Sequence, residues 1–384
     1  MVGSNSNLVN AYNNLQEEYD DFSLPVAVIT VGGKELTESK KDLHVTDIRT
    51  DCTSNYEASV ASFKIFNCFD MAKLEYRYDD VKPYIMLGSP VMIAMGYDTV
   101  AKEVFRGFIS SVEFVYLDGE VPGIEVHAMD VKGVMMANNY AKQIHANSYS
   151  EAVEEIFKQG VYQSLKSNEV FSKLEVTATP DKNNNENGKD RTIEMVYESD
   201  YEFVVKAAKK YNYEFFVSQG VVYFRKAKNN ASTLLELGPR RGLIDFHIGY
   251  DITGLVGNIE VRNADAGKGK LMNAKKKRQG KISGGNKARQ LIDKQTKVYI
   301  DPTAANKGEA EQRAEYLMED MSYRFGTLEA TVIGLPDLLP GCYVDIKGLG
   351  KSASNKFYLT GVRHEMEHTG RFTTQITGKA AKLE

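Results

Sequence analysis

From residue 25 onward, apolar and polar positions alternate. Val26-Ala27-Val28-Ile29-Thr30-Val31 reads as a strand that stops at the turn residues Gly32-Gly33. The same period of two predicts strands over residues 45–50, 59–65, 90–97, 103–114 and 124–128. Short strands at this spacing point to a barrel or a sandwich. Asp130 closes this module ahead of residues 131–138.

The period then changes. Ser148 and Glu151 form a capping box, with Ala152, Val153, Ile156 and Phe157 on one helical face and Gly160 expected as the stop. Residues 174–178 read as a strand. The polar run 181–190 (DKNNNENGKD) has nothing to bury and reads as a loop. A second capping box, Ser199 with Glu202, opens a helix that turns Phe203, Val204, Ala207 and Ala208 inward and ends near Tyr211. Residues 213–217 and 221–225 are strands joined around Gly220. Residues 1–24 read as a polar N-terminal arm with some helical character.

Alternation returns at residues 243–248 and 256–262. Residues 266–290 carry nine Lys or Arg and no acid, among many Gly, Ser and Asn, and read as a flexible basic loop. Residues 308–324 form a helix with Ala310, Ala314, Leu317, Met318 and Met321 at helical spacing. Strands follow over 328–333 and 372–376.

Two stretches carry one pattern. Gly88, Val91 and Ile93 open a strand, and so do Gly341, Val344 and Ile346; each is followed by a strand holding a glycine, Gly107 and Gly361. The spacing from first to second glycine is 19 positions in one copy and 20 in the other. Such self-similarity suggests two related β modules in one chain. Three chains would then present six similar modules, an arithmetic that suits an assembly part better than an enzyme.

Composition narrows the classes. The 384 residues allow two or three domains; 42% hydrophobic and 26% charged residues are ordinary for a globular protein. A net charge of −4 gives no global attraction to nucleic acid or membrane. Tyr (22) and Phe (17) are plentiful, which favours strands. Three cysteines, Cys52, Cys68 and Cys342, sit in unrelated contexts, which argues for a reducing compartment rather than a disulfide scaffold. No signal peptide and no membrane-length apolar run is read in the sequence.

Candidate chemistry is sparse. His364-Glu365-Met366-Glu367-His368 fits the zinc-peptidase pattern H-E-x-x-H, which needs a helix to bring both histidines to one metal. The flanks, residues 357–362 and 371–376, are rich in β-branched and aromatic side chains and predict a strand. There the two imidazoles would stand ~13 Å apart. His364, Glu365 and His368 are therefore rejected as metal ligands. Lys275, Lys276, Lys277 and Arg278 could contact phosphates, a partner or a cargo, though no aromatics are interleaved for base stacking. No phosphate-cradling glycine loop or nucleophile elbow occurs. His127 and Asp130 lie close together without a matched nucleophile.

Several segments together resemble the phage late control gene D and VgrG family of tail hub proteins. They are Val104-Phe105-Arg106-Gly107-Phe108-Ile109, Ile124-Glu125-Val126-His127-Ala128-Met129-Asp130, Glu198-Ser199-Asp200-Tyr201-Glu202-Phe203 and Leu335-Pro336-Asp337-Leu338-Leu339-Pro340-Gly341, continuing through residues 357–364. The resemblance implies a fold that is α+β, mostly β: a first β-barrel module over residues 25–139, an α+β module over 140–228 and a second β-barrel module over 229–384. Three copies would form a pseudo-six-fold ring that adapts a three-fold spike to a six-fold tube. It implies a homotrimer with a spike protein, a tail tube or tube-initiator protein, tape-measure and other baseplate proteins as partners, and neither membrane nor specific nucleic acid. It implies assembly in the bacterial cytoplasm, incorporation into a tail-like particle, a mechanical role, no cofactor and no catalytic residue. The sequence stops at Glu384 without the OB module and β-helical spike of many VgrG proteins, so the expected class is the hub of a phage, an R-type bacteriocin or a similar contractile system.

Overall fold

In the computed structural model, residues 5–37, 42–181, 192–228, 233–265, 270–278, 285–302, 304, 306–351 and 353–383 are described. The fold is mostly β. The first third contains α1 (Asn5–Glu18), β1 (Pro25–Val31), β2 (Lys34–Glu35), β3 (His44–Thr53), β4 (Val60–Phe66), β5 (Phe69–Asp70), β6 (Glu75–Tyr76), α2 (Tyr78–Ile85), β7 (Pro90–Tyr97), β8 (Val100–Val115) and β9 (Gly123–Met129). The middle contains α3 (Lys132–Met135), β10 (Tyr140–His145), α4 (Tyr149–Phe157), α5 (Gly160–Ser167), β11 (Lys173–Val176), β12 (Thr192–Glu198), α6 (Asp200–Tyr211), β13 (Tyr213–Ser218) and β14 (Val221–Lys226). The remainder contains β15 (Thr233–Leu237), β16 (Leu243–Tyr250), β17 (Asn258–Asp265), β18 (Lys270–Lys277), α7 (Gly285–Ile292), β19 (Thr296–Ile300), α8 (Lys307–Ser322), β20 (Gly326–Ile333), β21 (Tyr343–Ile346), β22 (Asn355–Met366) and β23 (Phe372–Ala380).

One 13-stranded sheet runs β16-β20-β23-β22-β3-β4-β9-β8-β7-β1-β2, with β21 also on β22 and β15 on β21. The alternation that predicts its strands also sets their faces. In β4, Ala61, Phe63 and Ile65 point into the core while Ser62 and Lys64 point away. A single apolar core lies under both halves, from Ile29, Phe63 and Val126 to Leu328, Val344 and Ile376. Each fully buried Phe or Ile of this kind contributes about 1.5–3 kcal/mol relative to exposure. Among the described residues the strand ladder branches at β22, and no end strand pairs back to close either half into a barrel.

The two halves share one topology. β1, β3, β4, β7, β8 and β9 lie in the order β3-β4-β9-β8-β7-β1; β15, β16, β20, β21, β22 and β23 lie in the order β16-β20-β23-β22-β21-β15. The registers agree as well. Residues 107–115 and 123–129 have counterparts 250 positions on, and both hairpins carry a bulge at matching places, Ile109/Ser111 and Leu359/Gly361. Gly88 and Gly341 have φ of +80° and +83°. The Gly88 amide donates to the Ile109 carbonyl, and the Gly341 amide to the Leu359 carbonyl, both at 2.9 Å. One detail of the sequence alignment changes: the counterpart of Gly107 is Phe357, opposite Val344 as Gly107 is opposite Val91, and the counterpart of Gly361 is Ser111. The halves differ at one edge, where β1 runs antiparallel to β7 but β15 parallel to β21.

Two further cores flank the sheet. In the middle segment Phe157, Tyr162, Phe171, Phe203, Phe215 and Phe224 pack together. Here Gly160 is no stop: it begins α5, after an extended Gln159 at the N-cap. Between β16 and β20, α8 packs on the sheet β18-β17-β19 through Ala310, Ala314, Met318 and Met321, against Ile259, Val261 and Ala274. This overturns the flexible basic loop over much of its length. Residues 270–277 form β18, because Met272 and Ala274 alternate into the core while Leu271, Asn273, Lys275 and Lys277 face out. Residues 266–269 and 279–284 lie outside the described residues, as does the polar run after Asp181.

The polar N-terminal arm is corrected too. α1 spans Asn5–Glu18, and Tyr12, Leu15 and the following Tyr19 are buried in the main core. Their spacing of three and four residues makes an apolar stripe. The Tyr19 hydroxyl donates to Asp337 at 2.6 Å, and Lys102 bridges Asp337 (2.7 Å) and Glu18 (2.9 Å).

Candidate assembly surface

The halves meet where β22 pairs antiparallel with β3. Gly361, Val362, Arg363, His364, Glu365 and Met366 stand opposite Thr53, Cys52, Asp51, Thr50, Arg49 and Ile48. The inward face is closed: Val362, His364, Met366, Ile48, Thr50 and Cys52 are all buried. On the other face the Arg363 guanidinium bonds Asp51 and donates to Gln375 at 3.2 Å. The Ser54 amide and the Thr53 hydroxyl both donate to the Thr360 carbonyl at 3.0 Å.

His364 is 1% exposed. Its Nδ1 lies 2.9 Å from the Thr374 hydroxyl, which itself accepts from the Leu335 amide at 2.9 Å. Burial pushes the imidazole pKa down to about 4, against a hydrogen bond to the Leu338 backbone that raises it. The strand predicted through this segment runs to Met366. His368 lies beyond it at the surface, with Nδ1 3.5 Å from Asp47 and its backbone amide donating to the same carboxylate.

The middle segment is tied to both halves by buried charges. Asp130 accepts from the Ser59 and Lys132 amides, both at 2.8 Å, with the Lys132 ammonium 3.7 Å away. Lys132 also donates to the Tyr56 and Glu57 carbonyls. Burial pushes the Asp130 carboxyl up and the Lys132 ammonium down. Removing either partner would strand the other in a dry site. Ser199 and Glu202 form the reciprocal box at the start of α6. Beside it the buried Asp200 accepts from Tyr162 (2.7 Å) and Asn138 (2.9 Å), with Lys142 at 3.5 Å.

The β13–β14 hairpin turns through Gln219 and Gly220, both at positive φ, and touches each half. Gln219 donates to the Glu103 carbonyl at 3.0 Å, and Gly220 packs against Arg106, which is paired with Glu103 at 2.5 Å. At its other end Arg225 donates to the Gly341 carbonyl at 2.7 Å. A Cβ at Gly341 would meet Arg225 Nη2 at 2.5 Å and Phe216 Cζ at 2.8 Å, beside the buried Pro340. Arg225 is stacked near Phe216 and Tyr223 and bonds Glu214 at 3.2 Å, and Glu214 accepts from the Tyr358 hydroxyl. Burial raises the Glu214 carboxyl above its usual range. Glu214, Arg225 and Tyr358 are absent from the sequence-based candidates. Nothing in the spacing of three residues so far apart announces their meeting.

The other candidates scatter. Val91, Ile93, Val344 and Ile346 are core positions. A Cβ at Gly107 would stand 2.2 Å from the Met129 carbonyl oxygen, and one at Gly361 would stand 2.6 Å from Thr377 Oγ1. Lys275 and Lys277 are exposed on β18, whereas Lys276 pairs with Glu315 at 2.9 Å. Arg278 is half-buried, and burial lowers its pKa. His127 lies 3.8 Å from Glu113 and 3.9 Å from Glu125. No disulfide forms among the described residues, and no described helix is long and apolar enough to cross a membrane.

Comparison with known proteins places this geometry. The family described as the Alg8 N-terminal domain matches residues 23–368. No curated protein matches the chain. Among solved structures, the chain resembles a tail protein from Neisseria meningitidis MC58 with a TM-score of 0.65 at 15% identity, over 93% of this chain and 97% of that one. It resembles the 43 kDa tail protein of prophage MuSo2 from Shewanella oneidensis with a TM-score of 0.65 at 12% identity, over 92% and 98%. An E. coli component of the type VI secretion system, described as structurally similar to T4 bacteriophage tail proteins gp27 and gp5, gives 0.55 at 10% identity, over 91% and 76%. At these identities the likeness is one of fold.

Proposed function

The chain belongs to the Alg8 N-terminal domain family; from its duplicated fold, and not from that family description, we propose that it is the structural hub of a phage tail or a phage-tail-like contractile injection particle. In this reading it is related to the late control gene D and VgrG hubs and adapts a three-fold spike to a six-fold tube. The observation that carries it is the internal duplication: two sets of six strands with one order and, apart from the outer strands β1 and β15, matching registers, joined in a single sheet. A trimer of a duplicated chain offers six nearly equivalent modules to a hexameric tube on one side and three-fold geometry to a spike on the other. The resemblance in fold to phage tail proteins supports the same reading. The role is mechanical. Its buried charges, Asp130 with Lys132 and Glu214 with Arg225, lock the segments to one another, and the work of ejection comes from elsewhere in the particle. Its partners are two further copies, a spike protein, a tube or tube-initiator protein and neighbouring baseplate proteins. It is made in the bacterial cytoplasm and carried into the particle.

Single-particle electron microscopy of the chain mixed with its tube and spike proteins tests this. Six lobes of similar size around a three-fold axis are expected in views down the particle. A two-fold dimer, or a chain that joins neither protein, would overturn the hub reading.

A further inference from the structure

The duplication makes a stronger statement than a count of modules. At the junction, β3 lies against β22, and the face formed by Val362, His364 and Met366 is buried by it. The counterpart of β22 is β8, and the counterpart of β3 is β16. Neither counterpart has its partner. β16 is the end strand of the sheet, and no described strand lies on the β7 side of β8 past Ile109, where the equivalent edge of β22 receives β3.

The same positions that are dry at the junction are wet here. Val362, His364 and Met366 correspond to Val112, Phe114 and Tyr116, of which Phe114 is 49% and Tyr116 58% exposed. Phe114 and Tyr116 touch Tyr76 and Phe69 of the same chain and still leave half their surface open. Ile48, Thr50 and Cys52 correspond to Phe246, Ile248 and Tyr250, with Phe246 44% exposed and the other two half-buried. Both edges therefore present apolar side chains and stretches with no described strand partner, which single chains normally blunt with charge or Pro; at the end of β8 the Tyr76 hydroxyl donates to the Val115 carbonyl at 2.9 Å.

We propose that β8 of one copy pairs antiparallel with β16 of a second copy, repeating between chains the junction that β22 and β3 make within one. The register is fixed by equivalence. Val112 stands opposite Tyr250, Phe114 opposite Ile248 and Tyr116 opposite Phe246. All three pairs are apolar and lie on the face that is buried in the internal junction. Cross-strand pairs of aromatic and β-branched residues are the stabilising kind. The contact joins different surfaces of the two copies, so each chain keeps one edge to offer onward. Such a head-to-tail contact closes into a ring or runs on as a filament. Closure at three chains rests on the hub reading above; the strand pairing rests on the duplication alone.

The test separates the two. In a Cys342→Ser background, F114C and I248C chains are mixed at high concentration under mild oxidation. Opposed residues in an antiparallel ladder have Cα atoms about 4.5–5.5 Å apart, within disulfide reach. A covalent dimer is expected from the mixture and from neither variant alone, with at least tenfold less from F114C mixed with the out-of-register Y250C. Homodimers of F114C alone, or equal yields from both mixtures, would overturn the pairing. With both cysteines in one chain, a covalent species of three chains supports the hub's count. Any other closed number, from in-register links, overturns the count and leaves the pairing standing. The unaltered chain gives a second readout: the amides of residues 110–115 and 243–250 should gain hydrogen-exchange protection as concentration rises, and no gain at any concentration would also overturn the pairing.

Discussion

Among single residues, His364 carries the clearest consequence. Its motif invites a metal, but its strand places it in the core against Thr374, at the seam between the halves. Burial lowers its pKa from 6.5 to about 4, so the unfolded chain binds the proton that the folded chain refuses. Its neutral form contributes stability that is fully present above pH 6.5 and is lost as pH falls through about 4. At ~1.4 kcal/mol per unit the loss amounts to about 3 kcal/mol. Urea unfolding of the native chain and of His364→Asn across pH 4–7 should show that slope in the first and its absence in the second. Equal slopes would place the acid sensitivity elsewhere. The two glycines of the repeat teach a related lesson. Gly107 is needed because the Met129 carbonyl approaches its Cα, Gly361 because Thr377 does. They look like one repeated residue in sequence, yet they sit four residues apart in the repeat, because alignment by residue type cannot see which carbonyl lies opposite.

For whole elements, legibility followed periodicity. β7 was readable to the residue because Val91, Ile93 and Met95 alternate inward between a Gly88 turn and Tyr97. The helix α6 was readable because its capping box and its inward face agree. Ser199→Ala should lower stability by about 1 kcal/mol, since the N3 amide loses its acceptor. Chemical denaturation measures it, and an unchanged midpoint would show that the box is idle. β18 was hidden because its outward residues are mostly basic, and the eye weighs a charge run as solvated before it tests for alternation. Hydrogen exchange should find every second amide of residues 271–277 protected through the ladder with β17, as an edge strand requires; exchange at the free-chain rate throughout would restore the loop. α1 was hidden in a similar way, its buried Tyr12 and Leu15, and Tyr19 just after it, being diluted by polar neighbours.

At the scale of the whole molecule, the sequence carried the idea of two related modules but not their union. Eleven of the twelve strands of the two halves were readable by pattern; β15 was not, and the strand read at 256–262 belongs to the separate sheet β18-β17-β19. That one sheet passes through both depended on β22 meeting β3, a pairing between residues too far apart for any local pattern to announce. The clamp of Arg225 on Gly341 and the latch of Asp130 with Lys132 were equally silent, because each side chain is ordinary until the fold supplies its neighbour.

That long-range seam also has a history in time. Asp51 and Arg363 are separated by 312 positions. At about 5–20 residues per second of synthesis, the edge of β3 stands bare for roughly 15–60 s before β22 emerges to cover it. During that interval the nascent first half exposes the same kind of unpaired edge that the finished chain keeps on β8 and β16. A ribosome that stalls late in the message would therefore release a chain with one extra sticky edge, matched by shape to the edges of completed copies. On the proposed hub reading, the duplication thus leaves unfinished fragments able to enter the ring wrongly, and places a premium on translation running through to the last hairpin.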